Sequence, residues 1–185
     1  DWQGSFDAAE WLVLQYGADH ERQNAQATDN FGTDTDNTHS LTALWRQAIV
    51  EPVSDLILTA GLRHDIHSEF GDHTTYRGTG AYLVEATGTR FHSSFGTGFR
   101  APSLYELYAP FFGDTSLQPE TSISFDVGVG QEFLDGRLVT DLTYFIIDID
   151  DLIEFDTAAS RYRQVPGTTR SRGVEASLDY AVTDE

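Results

Sequence analysis

The sequence contains no cysteine, no methionine and no lysine among its 185 residues. Without cysteine the chain cannot form a disulfide framework, a thiolate zinc site or an iron–sulfur cluster, and it has no cysteine nucleophile. All 11 cationic side chains are arginine, and they face 30 Asp and Glu residues, so the formal net charge is −19. This charge balance excludes a protein that binds nucleic acid through a basic surface.

Long apolar runs are also missing, because no stretch of consecutive apolar residues exceeds four. That pattern excludes a transmembrane helix and the core of a signal peptide. Since the chain has no methionine to start translation, we expect residues 1–185 to be a processed or internal part of a longer product. Aromatic residues are 12% of the chain and lie in patterned segments throughout, which favours an ordered structure over disorder.

Alternation of apolar and polar residues is the dominant pattern of the sequence. In 123–129 every second residue is aliphatic or aromatic, and the residues between them are Ser124, Asp126 and Gly128. This period of two predicts a β-strand with one apolar face. Similar segments predict about eight strands, each long enough to cross a bilayer when tilted. The other segments are 12–18, 41–49, 56–63, 76–85, 91–96, 138–146 and 174–180.

The connections between these segments alternate between long and short. In an antiparallel meander, such alternation places every long connection at one end, which is typical of outer-membrane barrels and not of Greek-key sandwiches. The sequence therefore predicts an all-β fold, an antiparallel transmembrane β-barrel with apolar side chains towards lipid and polar ones towards the lumen. The predicted long connections are 23–38, 68–75, 101–119 and 149–160; the short ones are 51–54, 86–89, 133–136 and a turn near 183.

Five motifs carry a family resemblance. The stretch Phe95–Ser103 resembles the FRAPS-type signature of TonB-dependent outer-membrane receptors. Further motifs follow in that family's order, and one upstream segment is similar to the strand that usually precedes them. These four segments are Leu58–Asp65, Leu117–Ser122, Tyr144–Ile153 and Arg172–Ala176.

The resemblance implies a 22-stranded barrel that is filled by an N-terminal plug domain contacting the TonB complex. We therefore expect residues 1–185 to be a partial TonB-dependent receptor β-barrel domain, with about eight of the strands and without the plug, in the bacterial outer membrane. Residues 151–156, 161–163 and 172–176 look most like the cobalamin (vitamin B12) receptors of the family, although siderophore receptors share much of this pattern.

The same resemblance implies the function and the partners. It implies a receptor and active transporter, not an enzyme, that takes up cobalamin or a ferric siderophore and is energised through TonB. Its partners would be the TonB complex, reached through the plug, a small-molecule ligand and outer-membrane lipid. Two alternatives stay open at this point: a self-contained eight-stranded outer-membrane barrel, and a soluble β-sandwich that binds a ligand.

Four aromatic residues lie together in the longest predicted connection. Aromatic side chains in an external loop can contact an apolar ligand, and they can equally pack loops together or form the upper aromatic girdle. We predict ligand binding by these four residues, which are Tyr105, Tyr108, Phe111 and Phe112.

No cofactor, metal site or catalytic residue is expected. The stretch Gly96–Ala101 fits a dinucleotide fingerprint, but Pro102 opposes the helix that the fingerprint requires. The stretch Asp34–Asn37 begins like a calcium loop but lacks the required glycine and the closing glutamate. Two further clusters match no zinc motif and no independent catalytic pattern. They are Asp65, His67, Glu69, Asp72 and His73, and then Asp148, Asp150 and Asp151.

Charged residues on the predicted strands suggest ion pairs in the lumen. We predict that Arg46 and Arg63 face the lumen, where Asp126, Asp141 and Glu175 are available as counter-charges. Three aromatic residues near the short turns are predicted to form the periplasmic girdle. They are Trp11, Phe133 and Tyr180.

Overall fold

The computed structural model describes residues 1–28 and 34–182. The described residues form strands and one short helix. Their bounds are β1 (Trp2–Ala9), β2 (Leu12–Thr28), β3 (Asp34–Val53), β4 (Leu56–His67), β5 (Gly71–Val84), β6 (Thr89–Arg100), α1 (Leu104–Tyr108), β7 (Glu120–Phe133), β8 (Leu138–Asp150), β9 (Ile153–Asp156), β10 (Arg161–Gln164) and β11 (Thr168–Tyr180). Within 1–28 and 34–182, no helix has the length and apolar character needed to cross a membrane.

Nine of the strands form one antiparallel meander in the order β1-β2-β3-β4-β5-β6-β7-β8-β11. Strands β9 and β10 pair as a separate hairpin between β8 and β11. Strands β1 and β11 are the edges of the sheet, which does not close on itself in the described residues. This part of the chain therefore contains neither the closed eight-stranded barrel nor the two packed sheets of a β-sandwich.

Strand β1 is absent from the sequence-based prediction, which began at residue 12. Trp2 and Phe6 lie on one face of the strand, but Gly4 lies between them on that face and interrupts the alternation of apolar and polar residues. The ring of Tyr16 on β2 compensates, because a Cβ built on Gly4 would lie only 3.0 Å from that ring. An aromatic side chain from the neighbouring strand thus covers the gap that the glycine leaves.

The alternation of long and short connections is present, with different bounds. Tight turns join β1 to β2, β3 to β4, β5 to β6 and β7 to β8, all at one end of the sheet. The opposite end, called the long-connection end below, carries residues 68–70, 101–119 and 151–167. The predicted connection 23–38 was too long, because β2 and β3 pair from Thr28 and Asp34 inwards. The predicted connection 149–160 was too short, because it also holds β10.

The two faces of the sheet have the polarity that the sequence predicts for a membrane barrel. On β7 the apolar residues Ile123, Phe125 and Val127 are 55%, 42% and 46% exposed. The alternating residues Asp126 and Gly128 are half-buried or buried. We call the exposed apolar side the outer face and the opposite side the inner face. A soluble protein would bury the apolar face instead.

Strand β3 reverses the predicted facing of Arg46. The register pairs Arg46 with Tyr16 and Leu62, so Arg46 is exposed on the outer face and does not face the lumen. The indole of Trp45 takes the inner face, where a Cβ on Gly17 would come within 2.5 Å of the ring. Both faces of β3 carry bulky apolar residues, so its hydrophobic pattern does not reveal which side is outer.

The aromatic residues predicted for the periplasmic girdle all lie at the short-turn end. Trp11, Phe133 and Tyr180 are 53%, 47% and 51% exposed. The guanidinium carbon of Arg137 lies 5.9 Å from the ring centroid of Tyr180, within the range of a cation–π contact. Amphipathic rings in this position suit a boundary between hydrocarbon and water.

Candidate functional site at the long-connection end

The buried apolar residues lie almost entirely in the connections and not in the sheet. Leu107, Leu117 and Ile153 form a cluster and are at most 8% exposed. Three partly buried side chains pack against them, and we call these six residues the connection core. The three are Phe70, Tyr108 and Tyr162. The core therefore joins all three described connections into one body.

Helix α1 begins at a capping box that the sequence encodes locally. The hydroxyl of Ser103 accepts a hydrogen bond from the Glu106 backbone N–H (3.2 Å), and the Ser103 backbone N–H donates to the Glu106 carboxylate (2.7 Å). Two free N–H groups at the start of the helix are satisfied in this way. The helix then directs Leu104 and Leu107 inwards, since both are buried.

Arg100 and Glu120 hold the connection core onto the sheet. The Nε and Nη2 atoms of Arg100 donate to the two carboxylate oxygens of Glu120 at 2.6 and 2.8 Å, and Nη1 donates to Glu106 at 3.0 Å. Glu120 Oε1 also accepts from the backbone N–H of Ile153 at 2.6 Å. Paired fork-to-carboxylate bonds of this kind are strong and directional. One guanidinium and two carboxylates, those of Glu106 and Glu120, thus connect β6, α1, β7 and β9.

This network gives a physical role to three of the sequence motifs. Arg100 belongs to the segment Phe95–Ser103, Glu120 to Leu117–Ser122, and Ile153 ends Tyr144–Ile153. Sequence reasoning treated these as separate motifs and did not select Arg100 or Glu120 as site residues. The order of the motifs in the chain was the one sequence feature that could have linked these residues. Only the pairing of β6 with β7 places Arg100 opposite Glu120.

The β9–β10 hairpin docks onto the β6–β7 connection through backbone and side-chain bonds. The Tyr162 N–H donates to the Phe112 carbonyl (2.8 Å), and Gln164 Nε2 donates to the Gln118 carbonyl (2.7 Å). Arg161 forms an ion pair with Asp114. Hydrogen bonds from Ser116 and the Arg161 charge lower the pKa of the Asp114 carboxyl group.

The β3–β4 side of the site contains two buried histidines. His67 Nδ1 accepts hydrogen bonds from the backbone N–H groups of Glu69 (3.1 Å) and Phe70 (3.2 Å), which closes the turn to β5. Glu69 pairs with His39 and accepts a bond from the Tyr108 hydroxyl at 3.2 Å. Burial and the nearby Glu69 charge raise the pKa of Tyr108.

A cavity of about 550 Å³ opens between these residues and the inner face. Its lining includes Arg63, Asp65, His67, Arg100 and Ser103. The volume falls within the usual range of small-molecule sites, and the walls carry both signs of charge as well as hydrogen-bonding groups. The arrangement can therefore bind a polar or amphipathic ligand.

The four aromatic residues predicted to bind ligand do not converge on that cavity. Tyr108 belongs to the connection core, Tyr105 lies edge-on to Tyr162 (6.1 Å between centroids), and Phe112 lies 6.1 Å from Phe155. Phe111 has φ = 70° and is 74% exposed. Three of the four therefore take part in loop–loop packing, while Tyr105 and Phe111 also present exposed rings. Ligand binding by these residues stays a prediction.

The acidic and histidine cluster around β4 is occupied by internal partners. Asp65 pairs with Arg63 at 2.9 Å, and His73 lies 3.1 Å from the Phe70 carbonyl and stacks on Phe99. Among residues 1–28 and 34–182, no three His, Asp or Glu side chains could hold a metal ion. The start of the possible calcium loop, Asp34 and Thr35, lies outside the residues whose side chains are described, and Asp36 is part of β3.

Two of the predicted inner-face charges, Arg63 and Asp141, form ion pairs with partners other than those predicted. Arg63 donates to Asp19 at 2.9 Å as well as to Asp65. Asp141 contacts His92 (3.0 Å) and Arg90 (3.4 Å). Two further groups complete this set: Asp126, which accepts from Ser94, and Glu175, which is exposed on β11.

Comparison with known proteins identifies relatives of this chain. Residues 1–183 match the family model described as TonB dependent receptor-like, beta-barrel. The chain is 30% identical over 126 residues to the vitamin B12 transporter BtuB of Vibrio cholerae, covering 68% of this chain and 20% of that protein. It is 33% identical over 150 residues to BtuB of Vibrio vulnificus, covering 78% of this chain and 23% of that protein.

Solved structures show the same fold. The siderophore receptor PirA from Pseudomonas aeruginosa superposes with a TM-score of 0.81 at 21% identity, covering 96% of this chain and 35% of the receptor. A variant of the ferric enterobactin receptor PfeA from the same organism gives 0.79 at 18% identity, covering 98% of this chain and 32% of that one. The chain thus spans about a fifth to a third of the length of these relatives. With nearly all of its residues matched, the chain belongs to the TonB-dependent receptor β-barrel family.

Proposed function

We propose that residues 1–185 form one section of the wall of a bacterial outer-membrane transporter that takes up cobalamin. The observation that carries this proposal is the identity of 30–33% to two vitamin B12 transporters. The apolar outer face supports a location in the outer membrane. A ferric siderophore is the second candidate ligand, supported by structural neighbours that share the fold at 18–21% identity.

The proposed mechanism is binding followed by energised release into the barrel, without catalysis. The ligand docks at the long-connection end, where the cavity beside Arg63 and Arg100 supplies hydrogen-bonding groups. The exposed rings of Tyr105 and Phe111 supply apolar contacts. The TonB complex then acts through a plug domain to open the path. Polar groups of the inner face, including His92 and Asp141, line that path.

Uptake by cells tests this proposal. The full gene product that contains residues 1–185 is expressed in a strain lacking its own cobalamin and ferric enterobactin receptors. We expect radiolabelled cyanocobalamin to accumulate, and a protonophore to abolish accumulation while leaving surface binding intact. Accumulation of ferric enterobactin alone would assign the second ligand. Accumulation that is unchanged by the protonophore or by deletion of TonB would contradict energisation.

The aromatic contacts are tested separately by surface binding of cyanocobalamin. Replacing Tyr105 or Phe111 with Ala is expected to weaken binding about tenfold, because each loses an exposed apolar contact. The matched control is Phe133→Ala, which removes an exposed aromatic ring at the short-turn end. Equal binding by all three variants would exclude Tyr105 and Phe111 as ligand contacts.

A further inference from the structure

Arg46 is a cation in the apolar outer face. The register places it in one row with Tyr16, Leu62 and Tyr76 on the neighbouring strands. Within the part of the chain that the structure describes, no carboxylate pairs with it. An arginine on the lipid side of a barrel is costly unless its charge reaches polar surroundings or a counter-ion. The guanidinium therefore has to reach the polar boundary of the membrane or an anion outside the protein.

A groove lies directly beside Arg46. It has a volume of about 440 Å³ and is lined mainly by apolar surface, including Leu14, Tyr16 and Leu62. The row of residues below Arg46 is formed by small side chains, since Ala48 pairs with Ala60. The small side chains of Ala48 and Ala60 therefore form the bottom of the groove, and larger apolar side chains form its sides. Arg46 lies at one end.

The side chain of Arg46 is long enough to reach the upper edge of the apolar band on β3. On the outer face of β3, Leu44 is the last apolar residue before Thr42, and Leu44 is 54% exposed. Arg46 lies two residues below Leu44, which is about 7 Å along the strand. An extended arginine side chain covers that distance and places its guanidinium at the polar boundary. The long-connection end, towards which it extends, is the external end of outer-membrane barrels.

We propose that this groove binds one phosphate-bearing lipid of the outer leaflet. Arg46 pairs with the lipid phosphate, and an acyl chain lies over Ala48 and Ala60. Arginine suits this role because its planar fork can donate two bonds to one phosphate group. The inference rests on the proposed outer-membrane location and goes beyond the transport function, because the lipid is a structural partner and not the cargo.

Native mass spectrometry of the full gene product in detergent tests the proposal, with hexa-acylated bisphosphorylated lipid A as the probe. We expect Arg46→Gln to lower the affinity for one bound lipid about fivefold, the effect of one cation at a membrane surface. Arg46→Lys keeps the charge but not the planar fork, so it should restore only part of the affinity. A second variant, Ala60→Leu, keeps the cation but fills the groove floor, and it should also lower the affinity.

Arg22→Gln is the matched control, because Arg22 lies on the same face of β2 but six residues beyond Tyr16 along the strand, outside the apolar band. It should bind lipid like the wild type. Unchanged affinity in both Arg46→Gln and Ala60→Leu, an equal loss in Arg22→Gln, or displacement of the lipid by equimolar inorganic phosphate would each overturn the inference. Failure of the wild-type protein to insert into detergent or bilayers would instead overturn the proposed location.

Discussion

Apolar side chains are buried at the long-connection end and exposed on the sheet. At the long-connection end Leu107 and Leu117 are each 2% exposed, as in the interior of a soluble domain. On the sheet Phe125 and Val127 are 42% and 46% exposed, and the inner face holds polar groups. The first region is stabilised by packing within the protein, whereas the second requires lipid to cover its apolar surface. Mutations should therefore have different effects in the two regions.

The largest difference is expected from shortening a leucine. Leu117→Ala should destabilise the connection core by about 3 kcal/mol, because it leaves a cavity among fully buried side chains. Hydrogen exchange at the backbone amides of 101–119 would accelerate more than a hundredfold. Leu58→Ala on the outer face, where Leu58 is 41% exposed, is the control, and its cost should stay below about 1 kcal/mol. Equal effects would mean that the connections are not packed as a core.

The next largest effect is expected at the junction of the two regions. Arg100→Gln leaves the Glu120 carboxylate, whose side chain is 10% exposed, without its charged partner. The loss should be about 2 kcal/mol, which corresponds to roughly thirtyfold faster exchange at the Ile153 amide. Arg77→Gln, which removes an exposed arginine from the inner face, should not change that rate. Slow exchange in Arg100→Gln would show that the ion pair is dispensable.

A smaller effect is expected within the sheet. Gly17→Ala brings a Cβ to 2.5 Å from the Trp45 ring and should cost about 1.5 kcal/mol through displacement of the indole. Gly61→Ala is the control on the same face, since the nearest atoms would be 3.7 Å away. Urea unfolding of the bilayer-inserted protein, followed by tryptophan fluorescence, measures both. A Gly17 variant as stable as the Gly61 variant would contradict the packing of Trp45 on the inner face.

The smallest effect is a pH dependence confined to the long-connection end. Hydrogen bonds from Ser116 and the pairing with Arg161 lower the pKa of Asp114 in the folded protein. These contacts therefore contribute stability above the unfolded carboxyl pKa of about 3.9, and that stability is lost as the pH falls through the lower, folded value. Protease cleavage in β9–β10 should therefore increase below about pH 4. Asp114→Asn should show the increased cleavage already at neutral pH. Its further increase in acid should be smaller than that of the wild type and not zero, because the pKa of Asp156 in the same hairpin is also lowered.

Much of the sheet could be predicted from the sequence, because the outer face of a membrane barrel imposes a period of two. Strand β7 follows that period without exception from Ile123 to Val129, and its facing was predicted correctly. The facing of β3 could not be predicted, since Trp45 occupies an inner position that depends on Gly17 in another strand. Packing between side chains of neighbouring strands depends on residues far apart in the sequence. The alternation of apolar and polar residues within one strand carries no information about it.

Less of the site could be predicted. The aromatic residues of 101–119 were identified, but their partners Tyr162 and Phe155 belong to a hairpin that was not predicted, since the predicted connection ended at residue 160. Arg100 and Glu120 were recognised only as parts of two separate motifs. Their contact was not predicted, because it depends on the register of β6 and β7. Packing of irregular segments leaves little periodic signal, so side chains that join them are found only when the fold is known.

The bond from the Ile153 amide to Glu120 has a consequence for the ligand uptake proposed above. Because that bond and the Arg100 fork fix the hairpin and α1 before any ligand arrives, the loss of chain freedom that loop closure would require has already occurred during folding. If this chain belongs to the transporter proposed above, a preorganised mouth of this kind would admit a ligand in a single encounter, without a rearrangement of the connections. At low external concentration the capture rate would then depend on diffusion to the cell surface and on the number of receptors present.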